Sequence, residues 1–301
     1  MPSRTLSLYA LAERLGATVS RRARPQHRYV VVNGLRLHYL DWGARGKPVV
    51  LLVHSGEEAA HGWDLTALAF CAGYHVLAIE SRGFGDSERV TSGVYTEEDH
   101  VRDLEGFASA LGLKDFVLVG EALGARHAHI FASLHPDMLR AVVIVDTAPE
   151  VSDEAVKEIR GYLTATSSVP TYAEFVRRLM AVNPRRPFEQ VRAMLRHEVE
   201  RRPDGSWTWK RDQRTVMGGR PPSAMDSTSY LWSTLRKITC PSLLVRGAES
   251  PILTEPLSKR MMGLLPKARL VVIPKAGHLV AGDNPVAFER ALRKFLKDVA
   301  G

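Results

Sequence analysis

From residue 29 onward, short β-branched segments alternate with helix-length amphipathic segments, and this alternation restricts the fold more than any other feature. It is typical of a mostly parallel sheet covered by helices on both faces. Segments 29–32 and 35–41 flank Asn33-Gly34, which predicts an antiparallel hairpin at the start of the sheet. Further strands are predicted at 49–54, 75–80, 116–120, 141–146, 243–247 and 270–274, and helices near 63–71, 99–111, 123–134, 256–265 and 285–299. The sequence therefore predicts an eight-stranded α/β domain.

One block interrupts this alternation and divides the predicted domain. Residues 151–237 contain three helix-like runs and no convincing strand, so we expect a helical cap inserted after the sixth strand. The core then comprises residues 29–150 and 238–301, and residues 1–28 form an amino-terminal helical arm. Four cap aromatics either line a pocket mouth or seal the cap onto the sheet. They are Trp207, Trp209, Tyr230 and Trp232, of which Trp207 and Trp232 are the candidate substrate contacts.

The most informative motif lies where the fifth strand gives way to a helix. It reads Gly120-Glu-Ala-Leu-Gly124, with two glycines at the spacing of the nucleophile elbow G-x-S-x-G. In that motif small neighbours allow the central residue to project from a sharp turn. The central residue here is Ala122, which has no nucleophilic atom.

Three further segments agree with the elbow, and together they resemble the α/β-hydrolase superfamily from about residue 29 to residue 296. The segment 51–56, Leu-Leu-Val-His-Ser-Gly, is similar to the family's H-G-x loop. The segment 80–87, Glu-Ser-Arg-Gly-Phe-Gly-Asp-Ser, is similar to D-x-R-G-x-G-x-S, and 274–278, Pro-Lys-Ala-Gly-His, resembles the loop of the catalytic histidine. The resemblance implies an eight-stranded, mostly parallel sheet with helices on both faces and a cap.

The same resemblance implies roles for individual residues. His278 would be the base, and the backbone N–H groups of Gly56 and Leu123 would form the oxyanion hole. Ser55 and Glu121 are candidate substrate contacts beside this hole. Glu57 and Glu58 follow the oxyanion loop and could face the pocket, but we favour solvated acids.

The carboxylate that would orient His278 has two candidates. The family usually places an aspartate after the seventh strand, where this chain offers only Glu249. Asp146, at the end of the sixth strand, is the other placement and the one we favour. Either carboxylate could accept a hydrogen bond from the imidazole and stabilise its charged form.

Ala122 leaves two interpretations open. In the first, it replaces the serine of an active esterase or lactonase that acts on a mid-sized apolar substrate, and this chain is nearly inactive. A parental aspartate at this position, as in the dehalogenases and epoxide hydrolases that share the fold, is a less favoured form of the same interpretation. In the second, Ala122 is native. His278 then serves a lyase, decarboxylase or cyclase reaction, or the pocket binds a small ligand without converting it. Neither interpretation requires a cofactor or a metal, since no phosphate loop, dinucleotide fingerprint or metal-binding motif is found.

Composition excludes several other classes. The net charge of +8 comes from 41 basic and 33 acidic residues, but these are interleaved, which favours solvated surfaces over nucleic-acid binding. Cys71 and Cys240 are too few for a disulfide framework and are expected to be buried. No apolar run approaches membrane-spanning length, so no membrane partner and a cytoplasmic location are expected. The basic amino-terminal arm suggests a homodimer contact.

Overall fold

A computed structural model describes residues 6–217 and 224–299 of the 301-residue chain. Its main sheet has eight strands in the order β1-β2-β4-β3-β5-β6-β9-β10, in which β1 and β2 are antiparallel to their neighbours and the other pairs are parallel. The strands are β1 (Gln26–Val32), β2 (Leu35–Asp41), β3 (Val49–Val53), β4 (His75–Ile79), β5 (Phe116–Glu121), β6 (Leu139–Val145), β9 (Ser242–Gly247) and β10 (Ala268–Ile273). The predicted sheet is confirmed.

Helices cover both faces of this sheet. They are α1 (Leu8–Leu15), α2 (Asp64–Phe70), α3 (Glu97–Ala110), α4 (Leu123–Leu134), α10 (Glu255–Met262), α11 (Val280–Asp283) and α12 (Pro285–Val299). Because side chains alternate along a strand, neighbouring residues of the central strands enter opposite layers. Leu52 and Val119 belong to the layer that contains Phe288, whereas Leu51 and Leu118 belong to the layer that contains Phe131.

The segment predicted to form the cap lies between β6 and β9, and we refer to it as the cap. Its described elements are α5 (Asp153–Ala165), α6 (Tyr172–Val182), α7 (Phe188–Glu198), β7 (Val199–Arg201), β8 (Trp207–Trp209), α8 (Arg214–Met217) and α9 (Thr228–Thr234). The three predicted helices are present. The expectation that the cap contains no strand is wrong, because β7 and β8 form an antiparallel hairpin.

The end of the predicted cap packs on the core. Leu231 of α9 is buried against Val101 of α3 and Ile130 of α4. The hydroxyl of Thr234 lies 2.8 Å from Nε2 of His129 in α4. The separate apolar cluster of the cap is built instead from α6, α7 and β8, with Phe175, Leu195 and Trp209 among its buried members.

The amino-terminal arm folds back onto its own chain. Leu11 and Ala12 of α1 are buried, and α1 contacts both α2 of the core and α7 of the cap. The backbone N–H of Thr18 donates to Glu289 at 3.0 Å. A homodimer through this arm stays a prediction, and the apolar face of α1 is covered within the monomer.

Candidate active site

The site lies at the carboxyl ends of the central strands, where open α/β sheets commonly bind ligands. Gly56 follows β3, Ala122 follows β5, Asp146 follows β6 and His278 follows β10. The order of β3, β5, β6 and β9 places neighbouring loops side by side. Residues separated by more than 200 positions in sequence therefore meet at one edge.

Ala122 occupies a strained turn between β5 and α4. Its φ of 51° and ψ of −111° lie outside the regions that non-glycine residues normally adopt, at a cost of about 1–3 kcal/mol. Its N–H donates to the carbonyl of Val145 at 2.9 Å, which fixes the turn against β6. The geometry is that of a nucleophile elbow with a methyl group at its apex.

The two glycines of the elbow are required by close backbone packing. A Cβ atom on Gly120 would lie 2.2 Å from the carbonyl oxygen of Gly124, and one on Gly124 would lie 2.4 Å from that of His54. Neither contact is possible for a real side chain. Glycine at both positions therefore lets α4 start directly against β5 and β3.

His278 and Asp146 form the second part of the site. His278 Nδ1 donates to Asp146 Oδ2 at 2.9 Å, and Asp146 is fully buried. Asp146 also accepts hydrogen bonds from the backbone N–H of Gly247 at 2.9 Å and from the hydroxyl of Ser250. Three donors thus hold this carboxylate in place. Ser250 gave no recognisable motif in the sequence.

The structure distinguishes between the two candidate acids for His278. Glu249 is half exposed and pairs with Arg185, with 2.9 Å between Oε2 and Nε. The N–H of Glu249 donates to Ala276, so its backbone supports the His278 loop while its side chain points to another partner. Asp146 is the carboxylate that the structure brings to His278.

The charge on His278 is set by opposing effects. Burial alone would lower the pKa of His278, but the hydrogen bond to Asp146 and the negative charge of Glu57 outweigh burial and raise that pKa to about 9. The ring is therefore an imidazolium at neutral pH in the chain as given.

A cavity of about 280 Å³ opens beside Ala122 and His278. Gly56 and Leu123 line it together with Glu57 and Arg126, and its apolar wall includes Ile159 and Leu163 of the cap and Ile252 of the core. A second space of about 220 Å³ shares Glu57, Ile159, Ile252 and His278 with the first. The predicted oxyanion residues, the elbow and the histidine thus face one space roofed by α5.

The expectation that Glu57 and Glu58 are solvated acids is wrong. Both are buried, with exposed fractions of 6% and 5%. Glu57 lines the cavity, and its Oε2 has no hydrogen-bond partner among the described residues. Glu58 forms an ion pair with Arg186 of the cap, which also pairs with Asp283 at 3.1 Å.

The four predicted substrate contacts lie outside the lining of this cavity. Trp207 packs edge-on against Tyr172 within the cap, and Trp232 donates from Nε1 to Glu150. These rings pack between elements and do not line this cavity, and their contact with the substrate stays a prediction. Ser55 is buried and accepts from the N–H of Glu57. Glu121 is buried and accepts from the N–H of Ala281 at 2.9 Å.

The cap also fixes the loop after β3. Arg211 Nη1 donates to the carbonyl of Gly56 at 2.8 Å, and its guanidinium lies 5.0 Å from the ring centroid of Trp209. The peptide between Gly56 and Glu57 is therefore anchored by a cap residue. No local sequence pattern indicates this contact, which spans 155 positions.

Comparison with known proteins assigns the family. Residues 48–285 match the family model described as alpha/beta hydrolase fold, which covers most of the chain. The chain belongs to the alpha/beta hydrolase fold family. Both cysteines of this family member are buried and free, as expected, and no described helix has the length and apolarity needed to cross a membrane.

Its relatives are esterases and hydrolases. The chain is 26% identical over 264 residues to an esterase of Mycobacterium tuberculosis, with 85% of each chain covered. It is 27% identical over 259 residues to a 2-(acetamidomethylene)succinate hydrolase of Mesorhizobium japonicum, covering 83% of this chain and 88% of the relative. A crystal structure of E-2-(acetamidomethylene)succinate hydrolase superposes with a TM-score of 0.80 at 22% identity, covering 91% and 100% of the two chains. Hydrolysis is thus the activity associated with proteins similar to this alpha/beta hydrolase.

Proposed function

We propose that this protein has the active-site framework of an ester or lactone hydrolase. Ala122 stands at the position of the nucleophilic serine and thereby suppresses turnover. The observation that carries the proposal is the strained elbow conformation at Ala122, which faces the same cavity as His278. A methyl group has no need of a backbone conformation this costly, whereas a nucleophile gains exposure and alignment from it.

In this proposal each remaining part of the site keeps its role in acyl transfer. A serine at position 122 would give its proton to His278 as it attacked the carbonyl carbon, and Asp146 would stabilise the imidazolium. The N–H groups of Gly56 and Leu123 would bind the oxyanion. The apolar wall from α5 and Ile252 favours a mid-sized apolar acyl or alcohol group. The steps require no cofactor.

The deciding experiment compares the chain as given with Ala122→Ser on a panel of aryl esters and lactones. We expect Ala122→Ser to raise kcat/KM by about a thousandfold or more, because loss of a triad nucleophile typically costs several orders of magnitude. The double variant Ala122→Ser/His278→Ala should lose that gain. An unchanged rate in a folded Ala122→Ser protein would overturn the proposal.

Glu57 supports a second candidate function. A buried carboxylate beside an imidazolium is a pair that can move protons without a nucleophile, as a lyase, decarboxylase or cyclase requires. This alternative predicts activity in the chain as given that His278→Ala abolishes. A protein that only binds a small ligand would instead show ligand-dependent thermal stabilisation and no turnover.

A further inference from the structure

A cluster of potential metal ligands lies on the antiparallel side of the sheet. His27 of β1 and His38 of β2 approach until His27 Nδ1 is 3.0 Å from His38 Nε2. Asp86, in the loop after β4, completes the cluster, and one ligand atom from each residue lies within 4.8 Å of the other two. No sequence motif links these three residues, because they come together only through the pairing of the strands and the loop after β4.

Glu80 orients two members of the cluster. His38 Nδ1 donates to Glu80 Oε2 at 2.8 Å, and both side chains are buried. The backbone N–H of Asp86 donates to the same oxygen at 2.6 Å. A histidine whose Nδ1 proton is held by a carboxylate presents its unprotonated Nε2 to the cluster, as metal-ligating histidines do.

The fold makes room for this carboxylate. A Cβ atom on Gly85 would lie 2.1 Å from Glu80 Cδ, so a side chain there would displace this carboxylate, and the φ of 54° at Gly85 also favours glycine. Glu80 also stands where the motif of the loop after β4 usually has aspartate. The extra methylene of Glu80 and the absence of a side chain at Gly85 together allow the carboxylate to reach His38 Nδ1. Neither residue lines the cavity beside Ala122.

We propose that His27, His38 and Asp86 form a binding site for a divalent transition-metal ion of the Zn²⁺ class. Two imidazole nitrogens and one carboxylate oxygen suit such ions, and water can fill the remaining positions. His27 and Asp86 are exposed, which provides an entry path, whereas His38 is buried. Binding needs His27 to shift its proton from Nδ1 to Nε2, which leaves the charge of the neutral ring unchanged.

A cap residue competes for this site. Lys210 Nζ lies 2.9 Å from Asp86 Oδ1, so the ammonium and the ion share one carboxylate. Occupancy of the site would join β1, β2 and the loop after β4 through one ion. The proposal is independent of the hydrolase assignment, since none of these residues lines the cavity beside Ala122.

The test measures Zn²⁺ binding to the untagged chain by calorimetry and thermal unfolding. We expect one ion per chain and a rise in Tm with Zn²⁺, with no effect of Mg²⁺ at the same concentration. His27→Ala and Asp86→Asn should each weaken the affinity by about tenfold or more. Lys210→Met should strengthen it, because the competing ammonium is gone. Co²⁺ in place of Zn²⁺ should give visible ligand-field bands that His27→Ala removes.

Two control variants keep the result specific. His135→Ala removes a partly exposed histidine paired with Glu105, and it should leave the Zn²⁺ affinity unchanged. His197→Ala alters the neighbouring ring pair, in which the rings of His61 and His197 stack with centroids 3.7 Å apart. Loss of binding with His197→Ala but not with His27→Ala would overturn the proposal, as would unchanged affinity in both His27→Ala and Asp86→Asn.

Discussion

At the scale of single residues, the protonation state of His278 is set by the carboxylates around it. Asp146 holds the ring through Nδ1, and Glu57, which lines the same cavity, adds negative charge. Both effects favour the protonated ring. An imidazole that is charged at neutral pH cannot accept a proton, so a serine restored at position 122 would work only in the small fraction of molecules whose ring is neutral.

This balance predicts the pH dependence of the restored enzyme. With a pKa of about 9, only about 1% of His278 is neutral at pH 7, so the kcat/KM of Ala122→Ser should rise with pH up to about 9. Adding Glu57→Gln removes a charge that raises this pKa, so the rise in rate should move to lower pH. The profile of kcat/KM between pH 5 and 10 measures both effects.

Glu249→Gln is the matched control for Glu57→Gln. Its carboxylate is half exposed and pairs with Arg185, so the pH profile of Ala122→Ser/Glu249→Gln should coincide with that of Ala122→Ser. Equal profiles for the Glu57 and Glu249 variants would mean that Glu57 does not set the charge of His278.

At the scale of elements, strands and helices could be predicted from periodicity and turns, but contacts between the cap and the core could not. The elbow, Asp146 and His278 each follow a strand, and each of these strands can be recognised from the apolar pattern of its own segment. The burial of Glu58 depends instead on Arg186, which lies 128 residues away in the segment between α6 and α7. Burial of an acid is predictable only when its partner is known, and no local pattern of this chain identifies that partner.

The ion pairs of Arg186 predict a large effect on stability. Arg186 is 5% exposed and pairs with buried Glu58 and Asp283, so Arg186→Met should leave both carboxylates without their cation. Asp283 would keep its hydrogen bonds from Asn183 and Gly277. We expect a loss of about 3–5 kcal/mol in the free energy of unfolding. Urea denaturation of the purified proteins measures it.

The neighbouring arginine provides the control. Arg185 pairs with Glu249 at a more exposed position, and Arg185→Met should cost less than about 1 kcal/mol. Equal losses in the two variants would show that the buried pair does not hold the cap onto the core.

At the scale of the whole molecule, three buried ionisable groups, Glu121, Glu198 and His278, respond to pH in the same direction. Burial and the nearby charge of Glu58 raise the pKa values of Glu121 and Glu198. Folding thus favours protons on these carboxyls as well as on His278. A group whose pKa is higher in the folded protein than in the unfolded chain stabilises the fold by binding a proton. This stabilisation is fully present at pH values below the pKa of the unfolded chain, and it is lost as the pH rises toward the pKa of the folded protein.

We therefore expect the free energy of unfolding to fall as the pH rises from about 6.5 to 9. His278 alone would contribute roughly 3 kcal/mol to this fall, since its pKa rises from 6.5 to about 9 on folding. The two glutamates add to the same trend from lower pH. Urea midpoints measured at pH 7, 8 and 9 test this, because buried histidines with lowered pKa values, such as His54 and His129, change the stability mainly below pH 7. His278→Gln should flatten the curve between pH 7 and 9. A stability that increases over this range would contradict it.

The conformation of Ala122 also bears on how readily the activity of this chain can change. Alanine and serine codons differ at their first base, so a single nucleotide substitution places a hydroxyl on a turn already bent to present it. The turn, the imidazole and its carboxylate are all in place before that substitution occurs. A gene encoding this chain is thus one point mutation from the proposed hydrolase, and reversion could be selected in growing cells on a substrate ester as the only carbon source.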